Sequence, residues 1–321
     1  MTGRWSLAAL VSTPPPRAAV EVSAAGVTAV ALDPGNGRSR VAAWAGERLP
    51  AGAVTPALTG ANVHDPQALA AAVASALERV GRPRRVALVV PDAAAKVALV
   101  RFDKVPGRAG DLEQLVRWQV HKGVPFPIET AQVSWAAGAA GEGGGREYVV
   151  TVMARSVVEE YEAACERAGA RPGIVDLSTF SLINLVLASR GAGPGGEDPG
   201  GDWLVVSVAP DGGSVAIMRG ASPVLFRSRA ADAGEQLLDV VHQTAMYFED
   251  RLGGRTFEHA FVGGSGPGLG RTAEALAGLL GGRLLREVAV IDPALSVDVD
   301  RRGLGDPVAL AGAVGVLLRG R

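Results

Sequence analysis

The chain has 321 residues, 48% hydrophobic and 20% charged, which is ample for a large buried core and suggests two domains. Its 32 basic and 33 acidic side chains leave a formal net charge of -1, so no strong basic field exists to draw nucleic acid or an anionic membrane. A single cysteine, Cys165, excludes an internal disulfide framework, and His64, His121, His242 and His259 lack metal-ligand spacing.

Residues 1–17 contain a short apolar run and then three prolines, which predicts a lead-in rather than a signal peptide. Residues 18 to 45 hold three β-like runs, "AAVEVS", "VTAVALD" and "RSRVAAWA", separated by turn signals as in an antiparallel meander. A helix follows from Asp65 as cap and Pro66 in the first turn, with Leu69, Val73, Leu77 and Val80 along one face. The strand "RRVALVV" then runs into Pro91 and Asp92.

Residues 93–169 change character, reading strand, helix, strand, strand, helix, with "GEGGG" as a hairpin tip. That order predicts a small inserted α+β unit. Within it, "LVRWQVHKGVPFPIE" is a helix followed by a firm stop. Asp111 and Gln114 fit a capping box, and Leu112, Leu115, Val116 and Gln119 share a face from which Trp118 points away. Gly123 suits a left-handed helix end, and Pro125 and Pro127 hold Phe126 on a largely fixed backbone. Phe126 either plugs the core of the unit or, with Trp118, lines a groove for another chain. Cys165 sits in a helical pattern as a small buried residue.

One more strand and helix complete the first domain at about residue 190, and residues 191–202 form a Gly/Pro linker. The hairpin pattern then recurs in "WLVVSVAP", "GSVAIMRG" and "SPVLFRSRA". A helix at 233 to 252, the strand "HAFVGG", a helix at 269 to 281, the strand "RLLREV" and a last helix follow. The fold class is thus α/β with α+β character, two duplicated domains and an insertion, over 18–92 plus 170–190 and over 203–321. No window approaches the ~18 apolar residues of a membrane span.

Ligands commonly sit between two such related domains. The two opening hairpin turns are Glu21 to Gly26, with Ser23 between them, and Ser207 to Gly213, with Ala209. Glu21 offers a carboxylate for a metal, and Ser207 stands where the second turn would need an acid. Gly263 and Gly264 begin a Gly-rich turn that opens a helix, which suits an anion or a nucleoside. No catalytic base pairs with these residues, and no P-loop, nucleophile elbow or zinc-binding helix motif occurs.

Residues 90 to 135 resemble PilM-type proteins of type IV pilus assembly, in which an R-F-x-K-x-P segment precedes a helix and then x-P-F-x-x-E. Here these are Arg101, Phe102, Lys104, Pro106, Pro125, Phe126 and Glu129. The resemblance implies an actin-like (ribonuclease H-like) fold related to FtsA and a place on the cytoplasmic face of the inner membrane. It also implies binding of the cytoplasmic tail of a PilN-like protein in a groove beside the inserted unit, with Arg101, Phe102, Trp118 and Phe126 as binding residues. Other pilus platform or motor proteins are further partners on this reading, and the membrane is met only through a partner. Two departures stand out: both hairpin turns lack the Asp-x-Gly of the family, and the helical subdomain that grips adenine is missing after the second hairpin. The leading expectation is therefore a non-catalytic adaptor needing no cofactor or metal. The alternative is an ATPase switched by Mg-ATP through Glu21, Ser207, Gly263 and Gly264.

Overall fold

The computed structural model describes residues 15–35, 38–140, 145–191, 201–210, 212–230, 233–254, 256–264, 270–284, 287–300 and 306–319. Strands β1 (Ala18–Ser23), β2 (Gly26–Asp33) and β3 (Arg40–Arg48) form the meander that the turn signals predict, followed by helix α1 (Pro66–Arg79) and strand β4 (Arg85–Val90). An excursion of β5 (Lys96–Phe102), α2 (Ala109–Val120), β6 (Ala131–Ala140) and β7 (Arg146–Ala154) leads to α3 (Arg155–Arg167), β8 (Arg171–Leu177) and α4 (Ser178–Ser189). The second half comprises β9 (Asp202–Ala209), β10 (Gly212–Arg219), β11 (Ser222–Ala230), α5 (Ala233–Arg251), β12 (His259–Gly264), α6 (Gly270–Leu284), β13 (Val288–Val290) and α7 (Ala311–Leu317).

The strand orders β3-β2-β1-β4-β8 and β11-β10-β9-β12-β13 are the same plan used twice. In each, the first strand of the half pairs antiparallel with its hairpin partner and parallel with the strand beyond. The excursion forms a separate sheet, β5-β7-β6. Alternation along the strands decides what each face buries. Val20 and Val22 face α1 and α3, whereas Ala19 faces α4 and α7. Likewise Leu204, Val206 and Val208 pack under α5 and α6, while Trp203 and Val205 turn to the middle. The middle core holds the facing sides of both sheets together with α4 and α7. Each fully buried leucine there, such as Leu182 or Leu185, contributes about 1.5–3 kcal/mol. A Cβ on Gly315 of α7 would lie 1.9 Å from the carbonyl oxygen of Ser181 on α4, so glycine is what lets these helices cross so closely.

Local signals explain most element ends. The Asp65 carboxylate accepts the Ala68 amide at 2.9 Å and caps α1, whose Leu69, Val73 and Leu77 are buried, as is Val80 just beyond it. The inserted unit departs from expectation in its details. Helix α2 begins after Arg108, whose carbonyl accepts the Leu112 amide, so Asp111 lies in the first helical turn and is not the cap. Its carboxylate still suits the positive end of the helix. Gly123 is not left-handed; the helix tightens into a 3-10 turn over His121–Gly123, and Val124 is extended because Pro125 follows. In the second half, α6 runs on to Leu284 and the strand expected at "RLLREV" lies instead at Val288–Val290, because Leu276, Leu280 and Leu284 at helical spacing pack into the third core.

Helix α3, grouped in sequence with the inserted unit, instead buries Val157, Tyr161, Ala164 and Cys165 in the core of the first sheet beside α1. The core of the inserted unit is built from β5, α2, β6 and β7 around Val116, Tyr148 and Val150. Most of the predicted lead-in, most of the linker and the tip of the β6–β7 hairpin lie outside the described residues.

Candidate functional sites

Two places could receive a guest: the cleft at the hairpin turns and a groove beside the inserted unit. In the cleft, Glu21 is 1% exposed on the side of β1 that faces the middle core. Gly312 of α7 packs directly on it, since a Cβ there would lie 2.2 Å from Glu21 Oε1. The Ser23 hydroxyl donates to the Gly26 carbonyl at 3.1 Å and accepts the Gly26 amide at 3.2 Å, so it closes its own turn. Ser207 is buried in register with Ser214 on one side and Gly263 on the other, Ala209 pairs with Gly212 and Gly264 with Val208. A Cβ on Gly263 would sit 2.8 Å from Leu182 Cδ1 and 3.2 Å from Ile291 Cδ1, so this glycine admits apolar side chains.

At the start of α6, the Gly270 amide donates to Asp306 Oδ2 at 2.9 Å, and Asp306 Oδ1 also accepts the Val308 amide at 3.2 Å. A helix N-terminus attracts negative charge, and here the chain supplies its own carboxylate. Residues 265–269 of the Gly-rich turn lie outside the described residues. Ser23, Gly263 and the α6 terminus are thus each engaged within the chain. Among the described residues, no group of three or more His, Cys, Asp or Glu could hold a metal.

The polar group that sequence reading passed over is Asp92, buried in a 3-10 turn just after β4. Its Oδ1 accepts the Thr179 amide at 3.1 Å, its Oδ2 accepts the Thr179 hydroxyl, and the Ser214 hydroxyl also bonds it. Thr179 opens α4 and Ser214 lies on β10, so one carboxylate ties the two halves together. Burial pushes its pKa up, against the hydrogen bonds from Thr179 and Ser214. The only hint in sequence is a carboxylate closing an apolar strand. Asp176, at the end of β8, is also raised by burial, while Arg319, 3.3 Å away, acts in the opposite direction.

The groove, of about 580 Å3, lies between the inserted sheet, α3, β8, α4 and the β10–β11 turn. Val149, Thr151 and Met153 of β7 form its floor, on the face opposite the Tyr148, Val150 and Val152 that fill the core of the inserted unit. Phe180 supplies aromatic surface, and Arg155, Glu159 and Glu162 supply charge from α3, while Trp135 borders the groove at the β6 edge with its side chain packed on the core of the inserted unit. Burial, followed by repulsion from Glu166 and Glu159, raises the Glu162 pKa.

The four residues marked in sequence for partner binding are not in the lining of this groove. Phe102 is 7% exposed, with its ring centroid 5.8 Å from that of Tyr148, and Phe126 packs against the same core. Trp118 stands 67% exposed on α2, and Arg101 is exposed on β5 with Asp103 at 3.9 Å. The resemblance implied a groove beside the inserted unit, but its lining residues escaped sequence reading because its walls come from elements far apart in the chain. Cys165 is inert by comparison, its thiol pushed up to about 12, chiefly by burial.

No curated protein matches the chain. The solved structure of a PilM-PilN type IV pilus biogenesis complex superimposes with a TM-score of 0.79 at 20% identity, over 95% of this chain and 99% of that one. A Bacteroides thetaiotaomicron protein with an actin-like ATPase fold and unknown function follows at a TM-score of 0.50 and 12% identity, over 86% and 91%. The duplicated sheets are thus those of an actin-like fold. The family described as type IV pilus assembly protein PilM matches residues 19–245, which span both hairpins and the inserted unit. The chain belongs to the PilM family of type IV pilus assembly proteins.

Proposed function

We propose that this chain is a non-catalytic adaptor of the type IV pilus inner-membrane platform. It docks the cytoplasmic tail of a PilN-like membrane protein in the groove beside the inserted unit and links that protein to other platform or motor proteins. The observation that carries the reading is the open groove itself, with Val149, Met153 and Phe180 and the carboxylates of α3 on its walls. Rigid aromatics beside a few charges are the usual anchors of a peptide. The solved PilM-PilN complex supports a partner of this kind. Attachment at the cytoplasmic face through the partner is part of this reading; among the described residues no helix is long and apolar enough to cross a membrane.

The adaptor needs no nucleotide on this reading. The Asp306 carboxylate at α6, the Ser23 hydroxyl closed on Gly26 and the Leu182 side chain against Gly263 support that part of the proposal. The actin-like fold and the buried carboxylates Glu21 and Asp92 favour the alternative, a switch driven by Mg-ATP. Thermal unfolding separates the two, because a ligand that binds only the native state raises its stability. The tail of the PilN-like protein encoded in the same genome should shift the melting temperature with no nucleotide present, and millimolar Mg-ATP should not. A shift with Mg-ATP and none with the tail peptide would reverse the assignment.

A further inference from the structure

Strand β8 is the last strand of the first sheet: β4 pairs with one side of it, and among the described residues no strand pairs with the other. Side chains of a strand alternate between faces, so a groove that meets one face touches every second residue, as with Val149, Thr151 and Met153 of β7. Strand β8 lines the groove differently. Pro172, Gly173, Ile174, Val175, Asp176 and Leu177 all border it in unbroken succession. A groove touches consecutive residues when it runs along the edge of the strand.

We infer that the guest binds as an extended strand added to the β8 edge, backbone to backbone, with a basic side chain set against Glu159 and Glu162. The inference rests on the docking of a tail in this groove. Addition of a strand satisfies edge amides and carbonyls and leaves specificity to side-chain pockets. Pro172 offers no amide, and the Leu177 amide is taken by the Asp176 carboxylate at 2.9 Å, so pairing falls on the backbone between them. The bordering stretch is about 20 Å long at ~3.3 Å per residue, which suits a short extended segment. Val149, Met153 and Phe180 offer apolar surface to the guest, and the Glu159 and Glu162 carboxylates on the α3 wall are the partners for its Lys or Arg.

Synthetic peptides of the PilN-like tail, each with one backbone N-methyl group moved stepwise along the chain, test this with the full-length protein by calorimetry. Strand addition predicts a period of two: methylation at every second position weakens binding by roughly tenfold or more, and at the positions between by no more than about twofold, since only one edge of the guest is paired. Replacing its basic residue with norleucine should weaken binding and reduce its dependence on salt. If the unmodified peptide binds but methylation shows no alternation, strand addition is overturned and docking stands. If the unmodified peptide does not bind, both fall. A dimer joined edge to edge through β8, seen by sedimentation and not dissociated by the peptide, would also overturn the proposal.

Discussion

At the hairpin turns the polar groups are spent on the chain itself: Ser23 on Gly26, Asp306 on Gly270, and Asp92 on Thr179 and Ser214. Beside the inserted unit the polar and aromatic groups instead border open space, where Glu159, Glu162 and Phe180 line a groove of about 580 Å3. The first region is closed by α7 and the segment before it, whereas the second is left open. On the proposed adaptor reading, the frame around the cleft serves rigidity while recognition sits beside the insertion.

The largest expected effect breaks the open region. Phe102→Ala removes a ring packed on Tyr148, and large-to-small changes of this kind cost about 3–5 kcal/mol. Hydrogen exchange should show the loss confined to β5, α2, β6 and β7, and binding of the tail should disappear with the groove floor. Breaking the closed region comes next. Gly312→Ala places a methyl group 2.2 Å from Glu21 Oε1, an overpacking expected to cost about 1–3 kcal/mol in urea unfolding. Its effect on tail affinity should be slight.

Asp92→Asn sharpens the comparison through pH. Burial raises the native pKa of Asp92, so folding favours its protonated form. The stability linked to this group is full below the ordinary carboxylate value and is lost as pH rises through the raised native one. Urea midpoints of the Asn variant should therefore fall less than those of the parent as pH rises from acidic towards neutral; an unchanged slope would remove Asp92 as a cause. The smallest effect is expected at Trp118, 67% exposed and away from the groove, where Trp118→Ala should change stability by no more than about 0.5 kcal/mol.

Much of the fold was legible in residue order. Asp65 and Pro66 announce α1, and the alternating Val20, Val22, Leu204, Val206 and Val208 mark strands with two buried faces of different partners. The repeat of a hairpin meander, helix and strand revealed the duplication. The candidate site was less legible. Aromatic residues near the prolines drew attention, but Phe102 and Phe126 serve the core of the unit, because the alternation of β5 turns Phe102 inward onto Tyr148. Met153, Glu159, Phe180 and Asp176 come from four different elements, and only the placement of α3 on the first sheet brings them to one groove. Asp92 was hidden for a related reason: its partners Thr179 and Ser214 come from another helix and from the other half.

The central claim is that recognition resides in the groove. Ala136, exposed on β6, borders it, so Ala136→Trp fills the groove without disturbing a core, whereas Trp118→Ala alters only the outer face of α2. Titrating the PilN-like tail peptide into both variants by calorimetry is the direct test. The groove account predicts a loss of roughly tenfold or more for Ala136→Trp, worth about 1.4 kcal/mol, and near-parental binding for Trp118→Ala. Binding that survives Ala136→Trp and is lost with Trp118→Ala would contradict it and move the docking surface to the outer face of the inserted unit.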